Sequence, residues 1–114
     1  MASAHEDGSI QLFDFTQMKI VNTLKNAHSD SVSSVTFSPF NTNCVISGGH
    51  DGSIRTWDLR KLDNSTSAST ALVAEIREAH ESKYNEAVQC ITAHQTAPLI
   101  ATGGSDSLVK MFEI

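Results

Sequence analysis

A segment that occurs three times limits this chain more than anything else in it. Ser47-Gly-Gly-His-Asp-Gly-Ser-Ile-Arg-Thr-Trp-Asp-Leu59 is echoed by Thr102-Gly-Gly-Ser-Asp-Ser-Leu-Val-Lys-Met-Phe-Glu-Ile114 and by Ser3-Ala-His-Glu-Asp-Gly-Ser-Ile-Gln-Leu-Phe-Asp-Phe15. Asp7, Asp51 and Asp106 anchor the copies, 44 and 55 residues apart. Four residues before each Asp stands a hydroxyl (Ser3, Ser47, Thr102), and six after it an aromatic (Phe13, Trp57, Phe112). An Ala-His pair precedes two of the copies, with His28 23 residues before Asp51 and His80 26 before Asp106. A chain with such a period is built of units that cannot bury an apolar face alone and must stack on one another.

Between the anchors the apolar residues follow the two-residue rhythm of β-strands. Strands are expected over 1–4, 10–15, 20–24, 32–38, 44–47, 54–59, 72–76, 88–92, 99–102 and 108–113. Ile10 and Leu12 share one face of the second, with Phe13 and Phe15 on the other; Val35 and Phe37 share a face of the fourth. Asp-Gly at 51–52 favours a tight hairpin. Ser38-Pro39-Phe40-Asn41-Thr42-Asn43 reads as a turn, because proline fixes φ and asparagine tolerates left-handed backbone. Residues 63–70, Asp-Asn-Ser-Thr-Ser-Ala-Ser-Thr, are a polar excursion that accounts for most of the longer second period. The run 71–80 is rich enough in Ala, Glu and Arg to allow a helix, but the repeat register favours a strand.

Composition excludes several classes. At 39% hydrophobic and 18% charged, the chain has the make-up of a folded soluble domain rather than a disordered one. A formal charge of −5 and sparse basic residues argue against nucleic acid as a partner. No apolar run is long enough to span a membrane, and no direct membrane insertion is expected. Met1 runs straight into repeat sequence, which leaves no room for a signal peptide. Cys44 and Cys90 both fall in expected strands and read as a pair of free buried thiols. That fits a reducing compartment, the cytoplasm or the nucleus.

Chemistry-bearing motifs point away from catalysis. Ser47, His28 and Asp51 have the residue types of a hydrolase triad, but no Gly-x-Ser-x-Gly elbow presents a nucleophile. The five histidines and two cysteines lack zinc-pair spacing, so no metal is expected. Gly48-Gly49 and Gly103-Gly104 lack the continuation of a phosphate loop; they read as relief of crowding at strand ends, and no cofactor is expected. His5 and His50 sit in equivalent turns and read as surface residues.

Hydroxyl, Asp, aromatic and upstream His at near-fixed offsets resemble the WD-repeat family, whose period is ~40–45 residues with a Gly-His and Trp-Asp signature. Here Ala replaces the Gly, and only Trp57-Asp58 is a true Trp-Asp pair. The resemblance implies an all-β propeller fragment of about two and a half four-stranded antiparallel blades, too few to close a ring. Residues 1–26 would be the C-terminal half of a blade, 27–78 a complete blade with the 63–70 insertion, and 79–114 a last blade without its fourth strand. Such a piece is expected to be the C-terminal part of a longer protein or a truncated gene product. It would need the rest of its propeller or another chain. The resemblance further implies a buried hydrogen-bond chain in each blade: His28, Ser47, Asp51 and Trp57; His80, Thr102 and Asp106, shortened because Phe112 cannot donate; and Ser3 with Asp7.

Four segments resemble the end of the striatin propeller: Ala4-His-Glu-Asp-Gly-Ser-Ile10, Ser47 to Trp57, Ala79-His-Glu-Ser-Lys-Tyr-Asn-Glu-Ala-Val88, and Ala101 to Phe112. This implies a non-catalytic interaction scaffold, a regulatory subunit of protein phosphatase 2A–kinase assemblies with phosphatase and kinase subunits as partners. Partner contacts carried over by position are Glu6, His50, Ser105, Ser33 and Gln89. Trp57-Asp58-Leu59-Arg60 also matches the box of substrate receptors in cullin-type ubiquitin ligases. That keeps a second function open, with Arg60 as the adaptor contact.

Overall fold

The computed structural model describes residues 2–14, 16–25, 27–38, 44–58, 72–81, 86–96 and 99–113. Within them lie ten strands: β1 (Ala2–Ala4), β2 (Ile10–Asp14), β3 (Lys19–Leu24), β4 (Val32–Phe37), β5 (Cys44–Gly49), β6 (Ile54–Asp58), β7 (Leu72–Ile76), β8 (Val88–Ala93), β9 (Leu99–Gly104) and β10 (Val109–Glu113). Each strand pairs with its neighbour in sequence, always antiparallel, in three separate meanders: β1-β2-β3, β4-β5-β6-β7 and β8-β9-β10. The stretch whose composition also allowed a helix forms β7 instead. Its Ile76 and Leu72 lie opposite Ile54 and Trp57, so packing outweighs the weak helical preference.

The three repeats make the same turn. Gly8, Gly52 and Ser107 each donate their backbone N–H to the residue three back, His5, Gly49 and Gly104, at 3.2, 3.1 and 3.3 Å. The anchoring Asp accepts from the N–H two residues on: Ser9 at 3.0 Å, Ser53 at 3.0 Å, Leu108 at 3.1 Å. This geometry forces positive φ at the position after the Asp, +85° at Gly8 and +84° at Gly52. Glycine takes that conformation without a steric penalty. The third repeat puts Ser107 there, at φ 67°.

Two apolar cores hold the sheets face to face. Ile10, Leu24, Ala27, Val32 and Trp57 fill the space between the first and second sheets. Ile46, Ile54, Ala79, Val88, Ile91 and Ile100 fill that between the second and third. The middle sheet is therefore covered on both sides, and every residue of β5 is buried. That is why Cys44-Val-Ile-Ser-Gly-Gly49 reads as a continuous run rather than an alternation. Each fully buried Ile or Leu contributes roughly 1.5–3 kcal/mol by leaving water.

Several expectations need adjusting. Cys44 is buried, but Cys90 is exposed, and neither forms a disulfide among the described residues. A register shift between Val88 and Cys90 in β8, at Gln89, takes the Cys90 side chain out of the core alternation. Phe37 does not share the half-buried state of Val35 and is 41% exposed at the end of β4. Ile10 and Leu12 are buried as a pair, Phe13 is half-buried, and Phe15 lies outside the described residues. So do the 39–43 part of the Pro39 turn, the polar excursion at 63–70 and residues 82–85 of the lengthened connection.

Candidate functional site

The residues singled out by spacing come together in the second and third sheets. In the second, His28 lies in the loop before β4, Ser47 on β5, Asp51 in the β5–β6 turn and Trp57 on β6. The indole N–H of Trp57 donates to Ser47 Oγ at 2.8 Å, and Ser47 Oγ lies 2.7 Å from His28 Nε2. His28 Nδ1 faces both carboxylate oxygens of Asp51, at 3.1 and 3.2 Å. One assignment of hydrogens satisfies the whole chain: indole N–H to Ser47 oxygen, Ser47 O–H to Nε2, Nδ1–H to the carboxylate. Asp51 also accepts from Ser53 N–H, Ser53 Oγ (2.7 Å) and Ser29 N–H (3.1 Å).

The third sheet has a shortened version. His80 Nδ1 lies 2.9 Å from Asp106, and His80 Nε2 lies 2.8 Å from Thr102 Oγ1. Phe112 occupies the Trp57 position and brings no donor. The first sheet is arranged differently: Ser3 Oγ pairs with His5 Nε2 at 2.9 Å, while Asp7 bonds Ser9. Ser3 and Asp7 are thus not joined into one chain there, and His5, expected at the surface, supplies the partner of Ser3.

These networks tie strands and loops together by buried hydrogen bonds. Ser47 is 0% exposed and His28 3%, so no substrate carbonyl can reach the hydroxyl. Burial raises the pKa of the Asp51 carboxyl, but His28, the Ser53 N–H and the Ser53 hydroxyl outweigh it and hold the group well below the usual carboxylate range. The same opposition, with His80, Leu108 and Glu81 as donors, lowers Asp106. Among the described residues no buried polar side-chain atom lacks a partner.

The paired glycines make room for the histidines. A Cβ on Gly49 would stand 2.7 Å from His28 Nδ1, and one on Gly104 would meet His80 Nδ1 closer still. One step earlier, a Cβ on Gly48 would press on Val88 and Ile91 of the next sheet at 2.6 Å.

Two cations went unnoticed in the sequence, although both stand four residues after an anchoring Asp. Arg55 donates to the backbone carbonyl of Ala27, and Lys110 Nζ to that of Ala79 at 2.8 Å. Each secures the loop that carries the next network histidine. Arg55 also donates to Glu75 on β7 through Nε (3.3 Å) and NH2 (3.1 Å). Gln11 is the equivalent residue in the first repeat.

Of the remaining candidates, Glu6, His50 and Ser105 lie in turns, Ser33 near the start of β4 and Gln89 near the start of β8. Glu6 is exposed, and its carbonyl accepts from Ser31 Oγ at 3.1 Å. His50 N–H donates to Ser31 O at 3.0 Å, and its Nδ1 accepts from Ala87 N–H at 3.3 Å. Ser105 N–H donates to Ala87 O, and its hydroxyl to Glu86 O. Gln89, exposed, reaches Glu86 at 2.9 Å. Ser33 differs: its hydroxyl donates to Gly48 O and Val88 O and so stitches β4 to β8. Arg60 lies outside the described residues.

A family model described as "WD domain, G-beta repeat" matches residues 18–58 and 73–113. The chain belongs to the WD-repeat family. Its three sheets are propeller-blade-like meanders, and they do not close on one another. Each matched WD repeat begins in the outer strand of one sheet, β3 or β7, and continues through three strands of the next. Striatin-4 of Homo sapiens is 37% identical over 110 residues, 96% of this chain and 13% of that protein. The striatin homolog of Dictyostelium discoideum is 33% identical over 106 residues, 93% of this chain and 12% of that protein. The chain thus spans about an eighth of the length of these curated relatives. Among solved structures, that of Sqt1 from Chaetomium thermophilum superposes with a TM-score of 0.78 at 32% identity, covering 99% of this chain and 30% of that one. Among the described residues no helix is long and apolar enough to cross a membrane.

Proposed function

We propose that this WD-repeat chain is a non-catalytic protein-interaction scaffold, working as a striatin-like regulatory part of a protein phosphatase 2A–kinase assembly in the cytoplasm. The observation that carries this is the similarity to striatins along nearly the whole chain, 37% over 110 residues. Residues 1–26, 27–78 and 79–114 would then be a partial blade, a complete blade and a blade without its outer strand. Burial of Ser47 and His28 supports a structural use of the hydroxyl–imidazole–carboxylate sets, since a nucleophile must be reachable.

In this reading partners contact the turns bearing Glu6, His50 and Ser105 and the start of β8 at Gln89. Glu6 and Gln89 are exposed, and His50 and Ser105 half-buried, so side chains there can change without disturbing a core. The test is capture of purified phosphatase 2A scaffold and catalytic subunits by the chain carrying Glu6→Lys or Ser105→Tyr. Both variants should capture less while Trp57 emission stays that of the folded chain. Undiminished capture by both would exclude this surface, and no capture by the unaltered chain would exclude the striatin-like reading.

A further inference from the structure

A bond from the third sheet to the second is made differently from its counterpart one repeat earlier. Ser31 and Ala87 lead into β4 and β8, and the residue before the anchoring Asp holds each of them by its carbonyl. His50 N–H donates to Ser31 O at 3.0 Å, and Ser105 N–H to Ala87 O at 2.9 Å. The amides of the same two residues are satisfied in different ways. Ser31 N–H donates to the carboxylate of the preceding residue, Asp30, at 2.8 Å. Glu86 stands at the place of Asp30 but accepts from Gln89 instead, at 2.9 Å. Ala87 N–H crosses to the second sheet and donates to His50 Nδ1 at 3.3 Å. Ala87 is 0% exposed, so water does not replace that acceptor, whereas His50 is half-buried and within reach of solvent protons.

We propose that His50 is a pH-sensitive latch on the chain entering β8, holding Ala87 while the imidazole is neutral and releasing it on protonation. A backbone N–H only donates, so Nδ1 is the acceptor and the ring proton is assigned to Nε2. The imidazolium carries N–H on both nitrogens and accepts nothing. Protonation therefore sets two donors against each other and leaves a buried amide without its partner. The charged groups on the elements joined to His50 are carboxylates: Asp51 on its own turn, Asp30 before β4, Glu86 beside Ala87, Asp106 after Ser105, and Glu6, whose carbonyl holds Ser31. The titratable rings there are His28 and His80, both buried and held by Asp51 and Asp106. No lysine or arginine among these residues opposes protonation of His50. Release stays local, because the two sheets keep their other contacts. Ser33 Oγ donates to Val88 O, Ile91 N–H to Ser34 Oγ at 3.2 Å, and the apolar core of Ile46, Ile54, Val88 and Ile91 does not titrate. The inference goes beyond the scaffold reading and stands without it, since it rests on comparison of this chain's own repeats.

Amide hydrogen exchange followed by NMR, corrected for the intrinsic pH dependence of exchange, reads the latch residue by residue. An imidazole titrating at the ordinary value of about 6.5 is almost wholly neutral at pH ~8 and roughly one-quarter neutral at pH ~6, so protection of the Ala87 amide should fall about four-fold between them. Ser31, bonded to Asp30, should keep its protection over this range. His50→Gln supplies a carbonyl oxygen that accepts but does not titrate, and protection of Ala87 should then stay level. If that variant does not fold, the unaltered chain decides: the midpoint of the loss must coincide with the titration of the His50 ring protons and not with that of any of the other four histidines. Constant protection at Ala87, an equal fall in His50→Gln, an equal fall at Ser31, or a midpoint belonging to another histidine would overturn the proposal.

Discussion

Replacing Asp51 by Ala tests the account of the second sheet most directly. The carboxylate is the acceptor for His28 Nδ1–H at 3.1 Å, and His28 is only 3% exposed, so water cannot substitute there. Ser29 is exposed, and its N–H is solvated once the carboxylate is gone. Ser53 Oγ lies 3.0 Å from His28 Nδ1 and can take over part of the bond. A buried donor left without its partner costs ~1–3 kcal/mol, and this partial rescue places the expected loss at about 2 kcal/mol. Asp51→Asn keeps one carbonyl oxygen as acceptor and should lose about half as much.

The chain's single Trp, Trp57, is 1% exposed and reports unfolding by its emission. A loss of about 2 kcal/mol shifts a urea midpoint down by roughly 1 M at the slopes usual for small proteins. Ser47→Ala should cost a similar amount, because it strands the Trp57 N–H and the Nε2 side of His28. Since both variants act on the same imidazole, the double variant should cost at least about 0.5 kcal/mol less than the sum. An Asp51→Ala midpoint equal to that of the unaltered chain, or strict additivity in the double variant, would refute the connected chain of bonds.

Two further outcomes follow from the same turns. Ser107→Gly should raise the unfolding midpoint by about 1 kcal/mol, since the residue holds φ 67° where the other repeats use glycine; a lower midpoint would show that the hydroxyl matters more than the backbone. Acid should weaken the fold: Asp51 and Asp106 are held below the ordinary carboxylate range in the folded chain, so it binds fewer protons than the unfolded chain. Their contribution is complete above about pH 4 and lost as pH falls through the lower folded values. Urea midpoints across that range should fall less steeply for Asp51→Ala than for the unaltered chain, and parallel curves would count against the assignment.

The fold was legible because its determinants are local and repeated. Alternation marks the strands, Asp-Gly the turns, and the spacing of Asp7, Asp51 and Asp106 their order. The members of the His28 and His80 networks were legible for the same reason, since a fixed offset in a repeated fold means a fixed place in space. What escaped were contacts that spacing does not specify. Arg55 and Lys110 sit at one offset, but the carbonyls they hold belong to a different loop. Cys90 looked like a core residue because a one-residue register shift in β8 leaves no mark in the local pattern. The first sheet departs from the network scheme because His5 lies close enough to bond Ser3, a choice that sequence spacing leaves open.

An offset between covalent repeat and sheet also creates contacts from one repeat to the next. The matched repeats run 18–58 and 73–113, so β3 belongs with β4, β5 and β6 in sequence but lies in the sheet of β1 and β2. Likewise β7 begins the second repeat but completes the sheet of the first. The pairs Trp57↔Leu72 and Arg55↔Glu75 are therefore bonds between repeats. The first and second sheets are each completed by a strand that begins the following repeat, and the apolar cores on either side of β5 add a second layer of dependence. In such an array stability resides largely in nearest-neighbour terms. The Arg55–Glu75 pair and the Ser33 hydroxyl on Val88 are the polar part of that coupling, and Ile46, Ile54, Val88 and Ile91 the apolar part.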